Sequence, residues 1–331
     1  MPREDIKMLC IGAAVQDVFL QGKIFTPHKE EDGELVEEFK LGSKNDIEGV
    51  VFSTGGGATN AAVTYARQGL HAMFMGKIGQ DEPGKAIVDS LHKEAVDTSM
   101  VSLCDICTGY SCLLLAPGGE RTILTYRGAS AHLDVKPSDF NDVEADWIFL
   151  TSMAGNFEAL EVIFDYAKAK NIKIAMNPGK DELKELDKLK KFIPQLTLLS
   201  ANKEEMAMIY SGKNLEDLAL AANKDVQYVV VTDGPKGAAA ADRQHIVTAG
   251  MYEDVPVIDR TGAGDAFSSG FTAMIAAGET LERAVTFASA NSTSVVGQVG
   301  AKAGILARGA RIHDMPLKIS AINQANAYAK I

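Results

Sequence analysis

Apolar runs too short for helices alternate with longer helix-compatible segments along most of the chain. Residues 6–11, 73–78, 147–150, 172–176, 196–199 and 228–231 predict buried strands. Residues 58–68, 84–94, 157–168, 203–210 and 215–222 predict the helices between them. Runs this apolar, interleaved with helices, belong to a parallel sheet covered on both faces. After Asp259 no further strand is expected, and two helices, 262–277 and 281–295, close the domain.

Two segments leave this pattern and return to it. Residues 18–52 carry Gly22, Pro27, Gly33, Gly42 and Gly49 between short extended pieces such as 35–39. Residues 108–126 form a predicted hairpin, with strand-like halves 111–116 and 122–126 around Pro117-Gly118-Gly119-Glu120. Paired as a small antiparallel sheet, they would make a lid over the carboxyl edge, where α/β sheets bind ligands. The core is then discontinuous, 1–17, 53–107 and 127–331, with the lid at 18–52 and 108–126. No internal repeat, low-complexity tract or interdomain linker is evident.

Composition narrows the function. A chain of 331 residues with 46% hydrophobic content suits a soluble α/β protein with a sizeable core. The net charge of −11 argues against nucleic-acid binding, which needs clustered Lys and Arg. It leaves ATP open, since one local turn and a metal ion can hold a triphosphate. The polar start, 1–5, and the strand-like run 8–15 predict no signal peptide, and no apolar run is long enough for a membrane helix. Cys10, Cys104, Cys107 and Cys112 make neither a disulfide scaffold nor, for lack of a second pair near Cys104-x-x-Cys107, a zinc site. A reduced cytoplasmic protein is expected.

Asp259-Arg260-Thr261-Gly262-Ala263-Gly264-Asp265, followed by an apolar helix-compatible run, carries the most chemistry. Small residues at a helix start let backbone N–H groups close on an anion. A carboxylate there would repel a phosphate, unless Asp265 takes the proton of a hydroxyl that attacks it. The alternative is a plain helix start with Asp265 as a first-turn acid. In 53–62, Gly55, Gly56 and Gly57 open a helix whose first strongly polar side chain is Asn60, a reader of sugar hydroxyls or a capping residue. Thr232-Asp233-Gly234-Pro235-Lys236-Gly237 follows a strand and can hold a nucleotide or form a simple turn. Asn202 and Glu205 read first as a capping box, and otherwise as a Mg²⁺ contact through water. No G-x-x-x-x-G-K-[ST] loop is present, and no G-x-G-x-x-G follows the first strand, so P-loop and nicotinamide-binding Rossmann chemistry are excluded.

In this order the pieces resemble the ribokinase-like, or PfkB, family of carbohydrate and nucleoside kinases, nearly end to end. Gly12-x-x-x-x-Asp17 looks like the family's substrate aspartate, and Gly55-Gly56-x-x-x-Asn60-x-Ala62 like its amino-terminal signature. Gly76-x-x-Gly79-x-Asp81 looks like the turn that follows, and Asn202-x-x-Glu205 like the metal and phosphate motif. Thr232-x-Gly234-x-x-Gly237 looks like the nucleotide loop, and Asp259 to Asp265 like the catalytic signature. The resemblance implies a three-layer α/β/α core with a mainly parallel sheet and a small antiparallel β lid. It implies Mg·ATP as donor, Asp265 as base, and an anion hole at Gly262, Ala263 and Gly264. It also implies a monovalent cation such as K⁺ near Asp259 and the loop 296–300, Asn291 beside the adenine, and a homodimer through the lid.

The departures bear on substrate. Arg260 stands where Thr, Pro or Ser is more usual, Val15 replaces an Asn of ribokinases, and Gly57 replaces their Lys. The ribose-contacting glutamate is missing near Thr151-Ser152-Met153. Arg127, returning from the lid, is either a reader of a substrate carboxylate or phosphate or a solvated arginine. The expected function is an ATP-dependent kinase of a small sugar, sugar derivative or nucleoside. The alternative is a catalytically silent PfkB-like ligand-binding or regulatory protein.

Overall fold

A computed structural model describes residues 3–117, 120–252 and 255–322. Gly118 and Gly119 of the expected lid turn lie outside them, as does the end of the expected core segment beyond residue 322.

From the amino end, β1 (Lys7–Ile11) leads into β2 (Val15–Gln21), a ribbon of β3 (His28–Lys29) and β4 (Leu35–Val36), and β5 (Gly49–Gly55). Next come α1 (Gly57–Arg67), β6 (His71–Gly79), α2 (Glu82–Lys93) and β7 (Asp97–Cys104), then β8 (Gly109–Leu115) and β9 (Arg121–Tyr126). The α/β repeat resumes with β10 (Trp147–Leu150), α3 (Phe157–Lys170), β11 (Lys173–Met176), α4 (Lys180–Lys184) and α5 (Leu186–Leu189). It runs on through β12 (Leu198–Asn202), α6 (Lys203–Ile209), α7 (Leu215–Ala222) and β13 (Tyr228–Thr232). β14 (Ala238–Ala241), β15 (His245–Ala249), α8 (Ala263–Ala276), α9 (Leu281–Val296) and β16 (Leu317–Ala321) complete it.

Among the described residues one ten-stranded sheet runs β16-β15-β14-β13-β12-β11-β10-β1-β6-β7. Strands β7 through β13 are parallel, and the last three pair antiparallel at the edge. The core is two apolar layers, one on each face. Along β1, Met8 and Cys10 enter one layer while Leu9 and Ile11 enter the other. Trp147 and Phe149 alternate with Ile148 and Leu150 in the same way along β10. This two-sided burial is why the strands read as unbroken apolar runs.

The expectation of no strand after Asp259 is corrected by β16, which pairs with β15 over His245–Ala249. β16 is mostly exposed, so no buried run announces it. β7 was also unexpected; it is a half-exposed edge strand with polar residues throughout. β14 consists of four alanines, strong helix formers that the sheet overrides.

The lid is a second sheet, β5-β2-β8-β9. It is antiparallel except that β2 and β8 run parallel. Its strands reach Val15 and Gly55, past the expected lid limits of 18 and 52. Phe19, Leu113 and Leu115 form its inner apolar face, with Val51 and Val299 against them. Asp81 caps α2 through the Gly84 N–H at 2.9 Å and accepts the Thr108 N–H at 2.8 Å, which fixes where the lid resumes.

Candidate active site

β1 lies between β10 and β6, and the chain leaves it in opposite directions, so a crevice opens at the carboxyl ends of β1 and β10. Asp265 in the first turn of α8 meets this crevice from above. Gly262 caps the helix at φ 79°, and a Cβ there would lie 2.3 Å from the Ala301 Cβ. A side chain is therefore excluded by both backbone conformation and space. The Ala263 N–H is drawn back to Arg260 O at 3.3 Å. Gly262 and Gly264 are left as first-turn donors without intrahelical partners.

Asp259, wholly buried, anchors this loop. Its Oδ1 accepts Thr261 N and Oγ1 at 2.9 and 2.7 Å, and its Oδ2 accepts Gly300 N at 3.0 Å. The Arg121 guanidinium of the lid stands 3.9 Å from Oδ1. Both oxygens thus hold the loop in place, which leaves Asp259 in a bracing role here.

The other wall is the turn before α1. Gly56 has φ 99°, and a Cβ there would stand 2.3 Å from Ala13 O. A Cβ on Gly55 would lie 2.0 Å from Asp17 Oδ2, and one on Gly57 would lie 3.2 Å from Asp265 Oδ1. The turn therefore sits between the two carboxylates. Asn60, one turn into α1, donates from Nδ2 to Asp265 Oδ2 at 2.7 Å. Its Oδ1 and the Thr151 Oγ1 at the end of β10 are buried without hydrogen-bond partners. Two orphan oxygens beside two carboxylates form a cradle for hydroxyl donors.

Burial pushes Asp265 up from the ordinary carboxylate range, opposed by the Asn60 amide and the Lys302 ammonium. Burial likewise raises Asp17, eased by Lys302 and by Ser111, its register partner on β8. Lys302 is pulled down by burial and supported by Asp17 and Asp265. Perturbed groups gathered in one crevice mark a functional site.

Beyond Asp265 a cavity of about 200 Å³ runs from Thr232, Gly234 and Gly237 to Gly264, with Val257 and Phe267 among its apolar walls. A Cβ on Gly234 or Gly264 would meet nothing within 4 Å, so the glycines leave the floor open. Ser289 and Ser292 face it from α9, and the Ser289 Oγ is buried without a partner. An apolar slot ending on bare helix-start N–H groups fits a nucleotide. Asn202 is in register with Thr232. It accepts the Glu205 N–H at 2.9 Å while Glu205 accepts its N–H at 3.0 Å, the capping box expected. Burial raises the Glu205 carboxyl. At the start of α6, after a strand end in register with Thr232, its carboxylate fits a water-mediated Mg²⁺ contact.

Two expected residues stand elsewhere. Asn291 is wholly buried and not among the cavity's lining. Its amide is spent on Ala266 O and the Leu306 N–H, both at 2.8 Å, so its neighbours Ser289, Ser292 and Thr293 face the cavity instead. Arg127 is half-exposed and ion-paired with Asp181 at 3.2 Å. Thr151, Ser289 and Lys302 were not anticipated from the sequence. Only the position of Thr151 directly after a strand could have pointed to it.

Residues 32–308 match the pfkB family carbohydrate kinase, and the chain belongs to that family. It is a phosphotransferase of kinase type. It is 27% identical to ribokinase of Haemophilus influenzae over 266 residues, covering 77% of this chain and 84% of that one. It is also 25% identical to 5-dehydro-2-deoxygluconokinase of Bacillus subtilis over 262 residues, 73% of this chain and 80% of that one. Its fold is that of the Burkholderia thailandensis nucleoside kinase solved with inosine (TM-score 0.73, 18% identity, 91% and 95% of the two chains). It is shared with Arabidopsis thaliana ribokinase solved with ribose and ATP (TM-score 0.71, 20% identity, 92% and 96%). Among the described residues no helix is long and apolar enough to cross a membrane.

Proposed function

We propose that this kinase transfers the γ-phosphoryl group of Mg·ATP to a hydroxyl of a small sugar, sugar derivative or nucleoside. The observation that carries the reading is Asp265, with an acceptor cradle on one side and a nucleotide-shaped cavity on the other. Asp17, Asn60 Oδ1 and Thr151 Oγ1 take substrate hydroxyls, with Gly55 and Gly56 shaping the turn. Thr232, Gly234 and Gly237 line the nucleotide end, and Asn202 lies beside Thr232 on the neighbouring strand. Asp265 accepts the proton of the attacking hydroxyl, and burial raises its pKa, which strengthens it as a base. The free N–H groups of Gly262 and Gly264, with that of Ala263 turned back to Arg260 O, stabilise charge on the moving phosphoryl group. Glu205 would hold Mg²⁺ through water, and the ion would supply positive charge against that of the phosphates.

The lid supports a homodimer. In register across the sheet, Phe52, Val18, Cys112 and Leu124 form one row on the face opposite Phe19. Phe52 and Leu124 are 71% and 58% exposed, and Val50, Tyr110 and Tyr126 extend the same face. An apolar face of this extent suits a second copy.

The test is coupled ADP release with Mg·ATP against ribose, fructose, ketodeoxygluconate, phosphosugars, adenosine and other nucleosides, with Asp265→Ala as control. Turnover that vanishes in the control supports the reading and names the acceptor. ATP binding without turnover on any acceptor favours a silent ligand-binding member, and absence of ATP binding overturns the reading.

A further inference from the structure

Among the described residues, no lysine or arginine other than Lys302 is buried. Lys302 lies in the loop between α9 and β16, and its ammonium ends directly beneath the turn that carries Gly55 to Gly57. Nζ donates to Thr54 O at 2.7 Å, to Thr54 Oγ1 at 3.3 Å and to Thr59 Oγ1 at 2.8 Å. The Thr59 hydroxyl passes the contact on to Gly55 O at 2.7 Å and Gly56 O at 3.0 Å. Three donors meet three protein acceptors, so the ammonium has no donor left for a substrate.

A buried ammonium is costly unless opposite charge answers it. Three carboxylates from three elements favour its charged form: Asp17 on β2, Asp265 on α8 and Glu94 after α2. Glu94 is already held by Arg67, Nε to Oε2 at 2.8 Å and Nη2 to Oε1 at 2.7 Å. The same guanidinium donates from Nη1 to Lys302 O and Ile305 O at 3.0 and 2.7 Å, which pins the lysine's own loop. The charge of Lys302 is therefore left to Asp17 and Asp265, the carboxylates that flank the turn it supports.

We propose that Lys302 is a positioning residue for phosphoryl transfer. Its ammonium braces the 53–57 turn from below and is the internal counter-charge that lets Asp17 and Asp265 be ionised together in one crevice. The proposal rests on the kinase reading for its catalytic part, whereas the charge relationship stands apart from it. Lys302 lowers both carboxyls against the effect of burial. Its removal must raise them further, so the pH at which activity begins to rise moves upward.

The test is Lys302→Met, nearly isosteric and uncharged, read by the pH profile of acceptor kcat/KM, by both KM values and by thermal melting. Expected are an acid limb displaced to higher pH, at least about a tenfold loss of acceptor kcat/KM at pH 7, and an ATP KM within about twofold. In parallel, melting of Lys302→Met, Asp17→Asn and the double variant measures the charge coupling without any turnover. The double variant is expected to lose less stability than the sum of the singles. An unmoved acid limb overturns the catalytic part, and additive melting shifts overturn the charge part. If Lys302→Met does not fold, Thr59→Val removes one acceptor while keeping the ammonium. A raised acceptor KM with unchanged ATP KM then supports the brace, and two unchanged KM values overturn it. A wild-type enzyme with no acceptor at all defeats the kinase reading and leaves the melting cycle to decide the charge pair.

Discussion

Asn60 Nδ2 lies 2.7 Å from Asp265 Oδ2, joining the first turns of two helices whose residues are 205 positions apart. The amide holds the proposed base in one orientation and opposes the rise in its pKa that burial imposes. Asn60→Ala removes this contact and an orphan oxygen of the cradle together. Turnover should fall by about 10- to 100-fold and acceptor KM should rise, on the magnitude expected for lost orientation. Steady-state kinetics with each substrate varied in turn checks this, with ATP KM unchanged.

Asp265→Asn should cut turnover by about 10²-fold or more, while ATP still binds by calorimetry. Near-wild-type turnover would remove Asp265 from the chemistry. The sign of the pH effect follows from its raised pKa. A base must be ionised, so wild-type kcat falls as pH drops through a value above the ordinary carboxylate range. That limb should be absent from the residual activity of the variant.

The two glycines of the proposed anion-hole turn should respond in opposite ways. Gly262→Ala places a Cβ at φ 79° and 2.3 Å from Ala301, so it should destabilise the fold by about 1–3 kcal/mol in urea titrations. A Cβ at Gly264 meets no neighbour within 4 Å, so Gly264→Val should fold and melt close to wild type. Its side chain enters the cavity floor and should weaken ATP binding by at least about tenfold, or ~1.4 kcal/mol.

Phe52→Glu sets a charge in the exposed apolar face of the lid. Sedimentation should show a dimer converted to monomer while the melting temperature of the folded subunit stays within a few degrees. A wild-type monomer at high concentration would remove the lid from any role in self-association.

Features contained within a few consecutive residues were legible before the fold was known. The Asn202–Glu205 capping box needs only its own backbone and stands as read, and the small residues 262–264 open a helix as expected. Lone residues were not. Thr151 and Lys302 belong to no motif, and Asn291 matched a family position while its amide was committed to Ala266 and Leu306.

The sequence by itself determined the α/β alternation, the excursion into the second sheet and the places of the small-residue turns, because periodicity and small-residue turns act through local sterics and two-sided burial. Only the tertiary structure decided that the Gly55–Gly57 turn lies between Asp17 and Asp265, and that the Asn60 amide meets the Asp265 carboxylate. It also decided that an ammonium 243 residues from Thr59 is buried beneath them, and that β16 closes the sheet edge. Burial, the charge of a neighbour and edge pairing depend on segments far apart in the chain, and no local pattern encodes those distances.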